Sequence, residues 1–184
     1  KLGLYLRHSK GGDPRLITPI TSASYGSGAD VSPDGSLITY TEGIIVSGTS
    51  IIYVVPTNGG APQGIGTGFC ARFRPDGQRI GFIRGILGHR EPSGKLEFWS
   101  SGTDGRDRRR EFIDTIHTGG SWSFSYSPDG KKIAWIRTFT GNYSEIVIHN
   151  LETGQESQVT FDRKSVDEVA WAGNNHIAYT SDRS

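Results

Sequence analysis

The chain has 184 residues, 20 Lys and Arg against 19 Asp and Glu, and a formal net charge of +1. That length builds one domain with its own core, and near-neutrality neither demands nor excludes a polyanionic partner. No run approaches the length of a membrane span, and Met is absent, so the chain reads as processed or trimmed.

The 26 glycines and the 10% aromatic content suggest strands separated by tight turns, and the chain bears this out from its N-terminus onward. Gly3–Thr18 holds two alternating apolar runs. A short strand follows at Ala29–Val31, then the turn Ser32-Pro33-Asp34-Gly35, a strand at Leu37–Thr41 and another at Ile51–Pro56. A second turn at Thr57–Pro62 leads into Gln63–Gly68, which has little strand character. The plan then repeats: Phe69–Phe73, the turn Arg74-Pro75-Asp76-Gly77, Arg79–Arg84, Leu96–Ser100 and Arg109–Asp114. A third copy runs through Trp122–Tyr126, Ser127-Pro128-Asp129-Gly130, Lys132–Arg137, Glu145–Asn150 and Gln155–Phe161. A fourth begins with Val166–Trp171, a shortened turn at Ala172–Asn175, and His176–Thr180. In each full turn Pro presets φ, Asp bonds the amides ahead of it and Gly accepts positive φ, so Pro33, Asp34, Gly35, Pro75, Asp76, Gly77, Pro128, Asp129 and Gly130 are structural turn residues.

The residues preceding these turns, Val31, Phe73, Tyr126 and Trp171, are spaced 42, 53 and 45 residues apart. A period of this length with several strands per unit, and no sustained helical periodicity, predicts an all-β propeller of four-stranded antiparallel blades. Lettering the strands A to D from the innermost outward, Gly3–Thr18 has the pattern of C and D, and Val169–Ser184 that of A and B. The ends are predicted to meet as the last of about four blades, since an open strand edge exposes unpaired backbone groups. The whole of 1–184 is expected to be one propeller domain, alone or as a portion of a larger propeller protein.

The units resemble the TolB-like β-propeller repeat, a relative of WD-repeat blades. The matching residues are Ser127-Pro128-Asp129-Gly130, Ile133-Ala134-Trp135, Ile52-Tyr53-Val54, Gly59-Gly60 and Leu16-Ile17-Thr18. The resemblance spans essentially the whole chain. It implies a propeller fold and, among relatives, periplasmic interaction proteins, sensor portions of membrane kinases and the gating propellers of serine peptidases.

Candidate chemistry yields mostly to structural readings. Gly119–Phe124 departs from the nucleophile elbow of hydrolases, because Phe124 stands where Gly is required and the segment falls on a strand. Trp122, Phe124 and Tyr126 alternate with Ser121, Ser123 and Ser125, as on a strand with one apolar face. His8, His89, His117, His149 and His176 lie at no zinc-ligand spacing, and the single Cys70 reads as a buried structural thiol. Gly105–Glu111 is rich in Arg, yet its interleaved acids suit a solvated outer strand; nucleic-acid binding and membrane insertion are not expected, nor is a cofactor or metal.

The expected function is therefore a non-catalytic binding or scaffold module that recognises a protein or peptide. The face carrying the long B–C and D–A loops is the expected site, because loops on a rigid scaffold carry binding. Tyr25, His89, Arg90, Glu91, His117 and Tyr143 are its candidate residues. The alternatives are a gating propeller of a serine peptidase of the prolyl-oligopeptidase kind, a propeller lyase lacking its catalytic part, and a structural protein that self-assembles head-to-tail by strand exchange. The resemblance implies a periplasmic or extracellular location.

Overall fold

The computed structural model describes residues 2–21, 28–43, 50–85, 95–115 and 122–182. The described strands form three complete sheets flanked by two half-sheets. The N-terminal pair is β1 (Gly3–Leu6) and β2 (Arg15–Pro19). Blade I holds β3 (Asp30–Val31), β4 (Leu37–Glu42), β5 (Ile51–Pro56) and β6 (Gln63–Thr67). Blade II holds β7 (Phe69–Phe73), β8 (Arg79–Gly85), β9 (Leu96–Gly102) and β10 (Arg109–Asp114). Blade III holds β11 (Phe124–Tyr126), β12 (Lys132–Phe139), β13 (Tyr143–Asn150) and β14 (Glu156–Gln158). The C-terminal pair is β15 (Val166–Ala172) and β16 (His176–Ser181). Each complete sheet is an antiparallel meander in chain order.

The Pro-Asp-Gly motifs make the turns between the first two strands of each blade. Gly35, Gly77 and Gly130 have φ of 74°, 70° and 69°, which glycine adopts without steric cost. Asp34 Oδ1 accepts from the Ser32 hydroxyl (2.6 Å) and the Ser36 amide (3.0 Å), and Asp129 repeats both bonds with Ser127 and Lys131. The Ser32 hydroxyl, then the Ser36 amide, hold the Asp34 carboxyl down at about 2. In blade II, Arg74 takes the place of the serine; Asp76 keeps the amide bond to Gln78 and pairs with the Arg74 guanidinium at 3.5 Å.

The blades pack face to face through large apolar side chains. Ile17 of β2 lies under Ile38, Tyr40 and Val55 of blade I. Ile65 of β6 lies under Phe73, Ile80 and Phe82 of blade II. Phe98 and Phe112 of blade II meet Phe124 and Trp135 of blade III. Ile136 and Ile146 of blade III meet Val166 and Val169 of β15.

The outer strand of blade I is better formed than its sequence suggests. Gln63–Thr67 makes a five-residue strand paired to β5, with Gly64 opposite Tyr53 and Gly66 opposite Ile52. Ile65 is fully buried under the next blade, so tertiary packing overrides the low strand propensity of its glycines. In contrast, the B–C connection of blade III, which the strands read at Lys132–Arg137 and Glu145–Asn150 leave as a loop, is a tight hairpin. β12 runs to Phe139, β13 begins at Tyr143, and Gly141 and Asn142 take positive φ.

The predicted closure is not seen among the described residues. β1–β2 and β15–β16 are separate two-stranded sheets, and no ladder joins β1 to β16. Each terminal pair instead packs by its face on the neighbouring blade, Ile17 on blade I and Val166 and Val169 on blade III, and a matching strand pattern does not place the opposite end of the chain at its edge.

Candidate functional site

Strands β3, β7, β11 and β15 are the innermost of their sheets. Consecutive inner strands are not joined by a ladder. Each is fastened to the next by side-chain bonds to the main chain. Asp30 of β3 accepts from the Phe73 amide at 2.7 Å. The Cys70 thiol donates to the Trp122 carbonyl at 2.7 Å. Ser125 of β11 receives the Trp171 amide on its hydroxyl (3.3 Å) and the Trp171 indole N–H on its carbonyl (3.1 Å). These stitches satisfy buried polar groups that a sheet edge would leave open.

The Cys70 stitch depends on local backbone. Cys70 takes φ 53° at an irregularity in the β7–β8 ladder, which turns its thiol toward blade III. Burial pushes the thiol up to about 12. It therefore stays protonated at neutral pH and serves as a donor rather than a nucleophile.

Along these strands runs a groove of about 590 Å³, lined by Asp30, Arg72 and Phe73, by Ser123 to Tyr126, and by Glu168 and Thr180. Its walls mix signs and types. The Arg72 guanidinium, half-buried, bonds the Ala71 carbonyl at 3.2 Å and enters no ion pair among the described residues. Glu168 supplies a carboxylate from β15. The Ser123 and Ser125 positions give a hydroxyl-bearing wall, and Phe73 and Tyr126 give an apolar floor. Burial raises the Tyr126 phenol and keeps it protonated. Its hydroxyl occupies the space where a Cβ at Gly81 would lie, so that glycine lets the ring seat.

Five of the six sequence-predicted binding residues, Tyr25, His89, Arg90, Glu91 and His117, lie outside the described residues. The sixth, Tyr143, sits at the blade III hairpin, stacked on Phe139 (5.1 Å, 9°) with the Arg163 guanidinium over its ring. It does not line the groove. The groove residues were missed as a site, although the alternation of Ser123 and Ser125 with Phe124 and Tyr126 was the available signal: small polar side chains on an innermost strand line the groove.

Two other polar groups are structural. In the Arg-rich segment, Asp107 pairs with Arg79 and Arg109 at 2.7 Å each, and Arg108 donates to the Ile65 carbonyl. Between blades II and III, Arg137 bridges Asp114 (3.2 Å) and Glu156 (2.9 Å) above the Trp135 ring, while His149 stacks on Phe112. No group of three or more His, Cys, Asp or Glu among the described residues is disposed to hold a metal ion.

Compared with known proteins, the chain matches no family model and no curated protein. Solved structures do match. TolB from Acinetobacter baumannii superposes with a TM-score of 0.69 at 19% identity, over 95% of this chain and 42% of that one. The fold is a TolB-like β-propeller. TolB from Agrobacterium tumefaciens superposes on the propeller with a TM-score of 0.61 at 23% identity, over 84% of this chain and 55% of that one. A chain of the nidogen/laminin complex gives 0.67 at 17% identity, over 93% and 60%. The chain spans about half the length of these solved chains.

Proposed function

We propose that this propeller is a non-catalytic recognition module that binds a short extended peptide or a protein segment in the groove along its inner strands. The observation that carries this is the juxtaposition of Arg72 and Glu168 in one groove of about 590 Å³. A peptide brings both charges and a row of main-chain donors and acceptors. Arg72 suits a carboxylate of the ligand, Glu168 an ammonium or guanidinium, and the Ser123, Ser125 and Thr180 hydroxyls suit main-chain groups between them. The stitched inner strands hold the walls in place before binding, which reduces the ordering cost of association. The solved structure of a nidogen/laminin complex shows a chain of similar fold within a protein complex, which favours the same reading. A site in the periplasm or outside the cell suits this role, on the resemblance of the repeats and the single thiol.

The test is selection of binding peptides from a displayed random library on the purified chain, followed by titration calorimetry. Arg72→Ala and Glu168→Ala are expected each to weaken the selected peptides at least about tenfold. Peptides that bind both variants as tightly as the parent chain refute the groove.

A further inference from the structure

Five pairs in this chain place Asp or Asn directly before Gly: Asp34-Gly35, Asn58-Gly59, Asp76-Gly77, Asp104-Gly105 and Asp129-Gly130. Such a pair is reactive by its covalent structure. The side-chain carbonyl carbon can be reached by the main-chain nitrogen of the next residue through a small ring, and glycine has no side chain to hinder the approach. An intramolecular attack of this kind gains from enforced proximity.

The turns treat these side chains differently. Asp34, Asp76, Asp104 and Asp129 each accept the main-chain amide two residues on, at 2.9 or 3.0 Å. A carboxylate is also a poor electrophile, because its carbon lies between two oxygens that share a negative charge. Asn58 is the exception. It is exposed, its side chain is a neutral carboxamide, and that carboxamide makes no hydrogen bond among the described residues. The other asparagines are not followed by glycine, and Asn150 uses its carboxamide to hold the Glu152 and Thr153 amides.

The main chain at Asn58 is held from outside its blade. Pro56 to Gly59 form a turn closed by the Gly59 amide on the Pro56 carbonyl (2.9 Å), and the Thr57 amide is tied to the Ser36 carbonyl. Arg15 of β2 donates through its guanidinium to both the Thr57 and the Asn58 carbonyls. This clamp keeps Asn58 in the turn and the Gly59 nitrogen in its hydrogen bond. Release of the clamp lets the turn open and frees that nitrogen, since local opening is governed by the bonds that hold a segment.

We propose that Asn58 is a site of spontaneous covalent modification whose rate is set by the Arg15 clamp. The Gly59 nitrogen gives its proton to hydroxide and attacks the Asn58 Cγ. The new C–N bond closes a cyclic imide, and the carboxamide Cγ–N bond breaks. The departing nitrogen takes a proton back from water and leaves as ammonia. Water then opens the imide at either carbonyl. One product is aspartate at position 58; the other is isoaspartate, in which the main chain runs through the former side chain. No oxidant or reductant is consumed. The first product adds a charge to the residue whose carbonyl Arg15 holds, and the second lengthens the main chain at that carbonyl by one carbon. Isoaspartate is in addition a substrate for carboxyl methyltransferases that use S-adenosylmethionine, which gives the site a specific readout.

The experiment incubates the intact chain at mildly alkaline pH, maps its peptides by mass over time and counts isoaspartate by enzymatic methyl transfer. Conversion is expected at Asn58 ahead of the other four asparagines and the four Asp-Gly pairs, and more slowly than in a synthetic peptide spanning Val54–Gln63. Arg15→Met, its folding checked by its unfolding midpoint, is expected to raise the rate at least about fivefold, toward that of the peptide. Asn58→Gln, which would have to close a larger ring, is expected to stop it. Earlier conversion at any other site overturns the proposal, as does a product free of isoaspartate, a parent chain that converts as fast as the peptide, or an Arg15→Met chain that converts no faster than the parent. The comparison of parent with peptide does not depend on any variant folding. Neither Asn58 nor Arg15 lines the inner groove, so peptide binding there is scored separately.

Discussion

β12 of blade III and β16 of the C-terminal pair carry similar letters, Lys-Ile-Ala-Trp-Ile-Arg against His-Ile-Ala-Tyr-Thr-Ser, each as the second strand of a hairpin. Their burial differs. In β12, Ile133 to Thr138 are all buried; in β16 every second residue is exposed and the others are only half-buried. β12 has a strand on each edge, blade II against one face and the β15–β16 pair against the other, while β16 has one strand and one sheet. The local pattern therefore sets strand, turn and facing. How much stability the strand contributes is set by the neighbours that cover it.

The most direct way to break this comparison is to truncate its matched isoleucines. Ile133→Ala is expected to cost about 2–5 kcal/mol and Ile177→Ala about 1 kcal/mol or less, read from midpoints of denaturant unfolding. Equal losses at the two sites would show that coverage is not the determinant.

A glycine pair sharpens the same contrast. Gly68 links blade I to blade II at φ 155°, and a Cβ there would meet the Ile83 carbonyl at 2.8 Å. Gly154, at the tip of the second blade III turn, has φ 71° and open space around it. Gly68→Ala is expected to cost about 3 kcal/mol, as a residue forced into a glycine-only region, and Gly154→Ala about 1 kcal/mol. Thermal unfolding of both variants measures the difference.

Cys70→Ala removes the stitch between blades II and III and is expected to cost about 1–3 kcal/mol, since the Trp122 carbonyl loses its donor. In the parent chain the thiol should resist a disulfide reagent at pH 8 and react at once in denaturant. Fast labelling of the native chain would contradict both its burial and its raised pKa.

The smallest effect concerns the turns. Asp34 is held at about 2 when folded, below the ordinary carboxylate value of about 4. A depressed folded value adds stability above the unfolded value, and that contribution is lost as pH falls from about 4 through about 2. Asp34→Asn lacks it, so the melting temperatures of parent and variant should converge over that window. The turn of the C-terminal pair, Ala172–Asn175, has no such carboxylate.

Much of this architecture was legible because it is local. Pro-Asp-Gly turns and period-two alternation placed β5, β7 and β10 to the residue. β6 was hidden, because Gly64 and Gly66 carry no side chain to alternate and the strand forms under blade II. The stitches were hidden for another reason: Asp30, Cys70 and Ser125 bond groups 43, 52 and 46 residues away, and no local pattern marks such partners. The candidate site followed the same division. Loop residues were chosen because irregular length is visible in a sequence, whereas the groove exists only where four distant inner strands converge. Terminal closure was read from complementary halves, which specify a matching strand pattern but not where the two ends of the chain come to lie.

The stitches have a mechanical consequence. Sheets joined along a ladder shear as one body, but sheets whose inner margins are held by one or two side-chain bonds turn about that margin like pages about a spine. Opening the angle between two blades would leave each inner bond in place and separate the outer contacts instead, the apolar ones together with the Arg108–Ile65 bond and the Arg137 bridge. A pulling force applied between the outer strands of neighbouring blades should therefore meet resistance from Ile65, Phe98 and Phe112 well before it reaches Asp30, Cys70 or Ser125, and the inner groove would be the last part of the molecule to lose its shape.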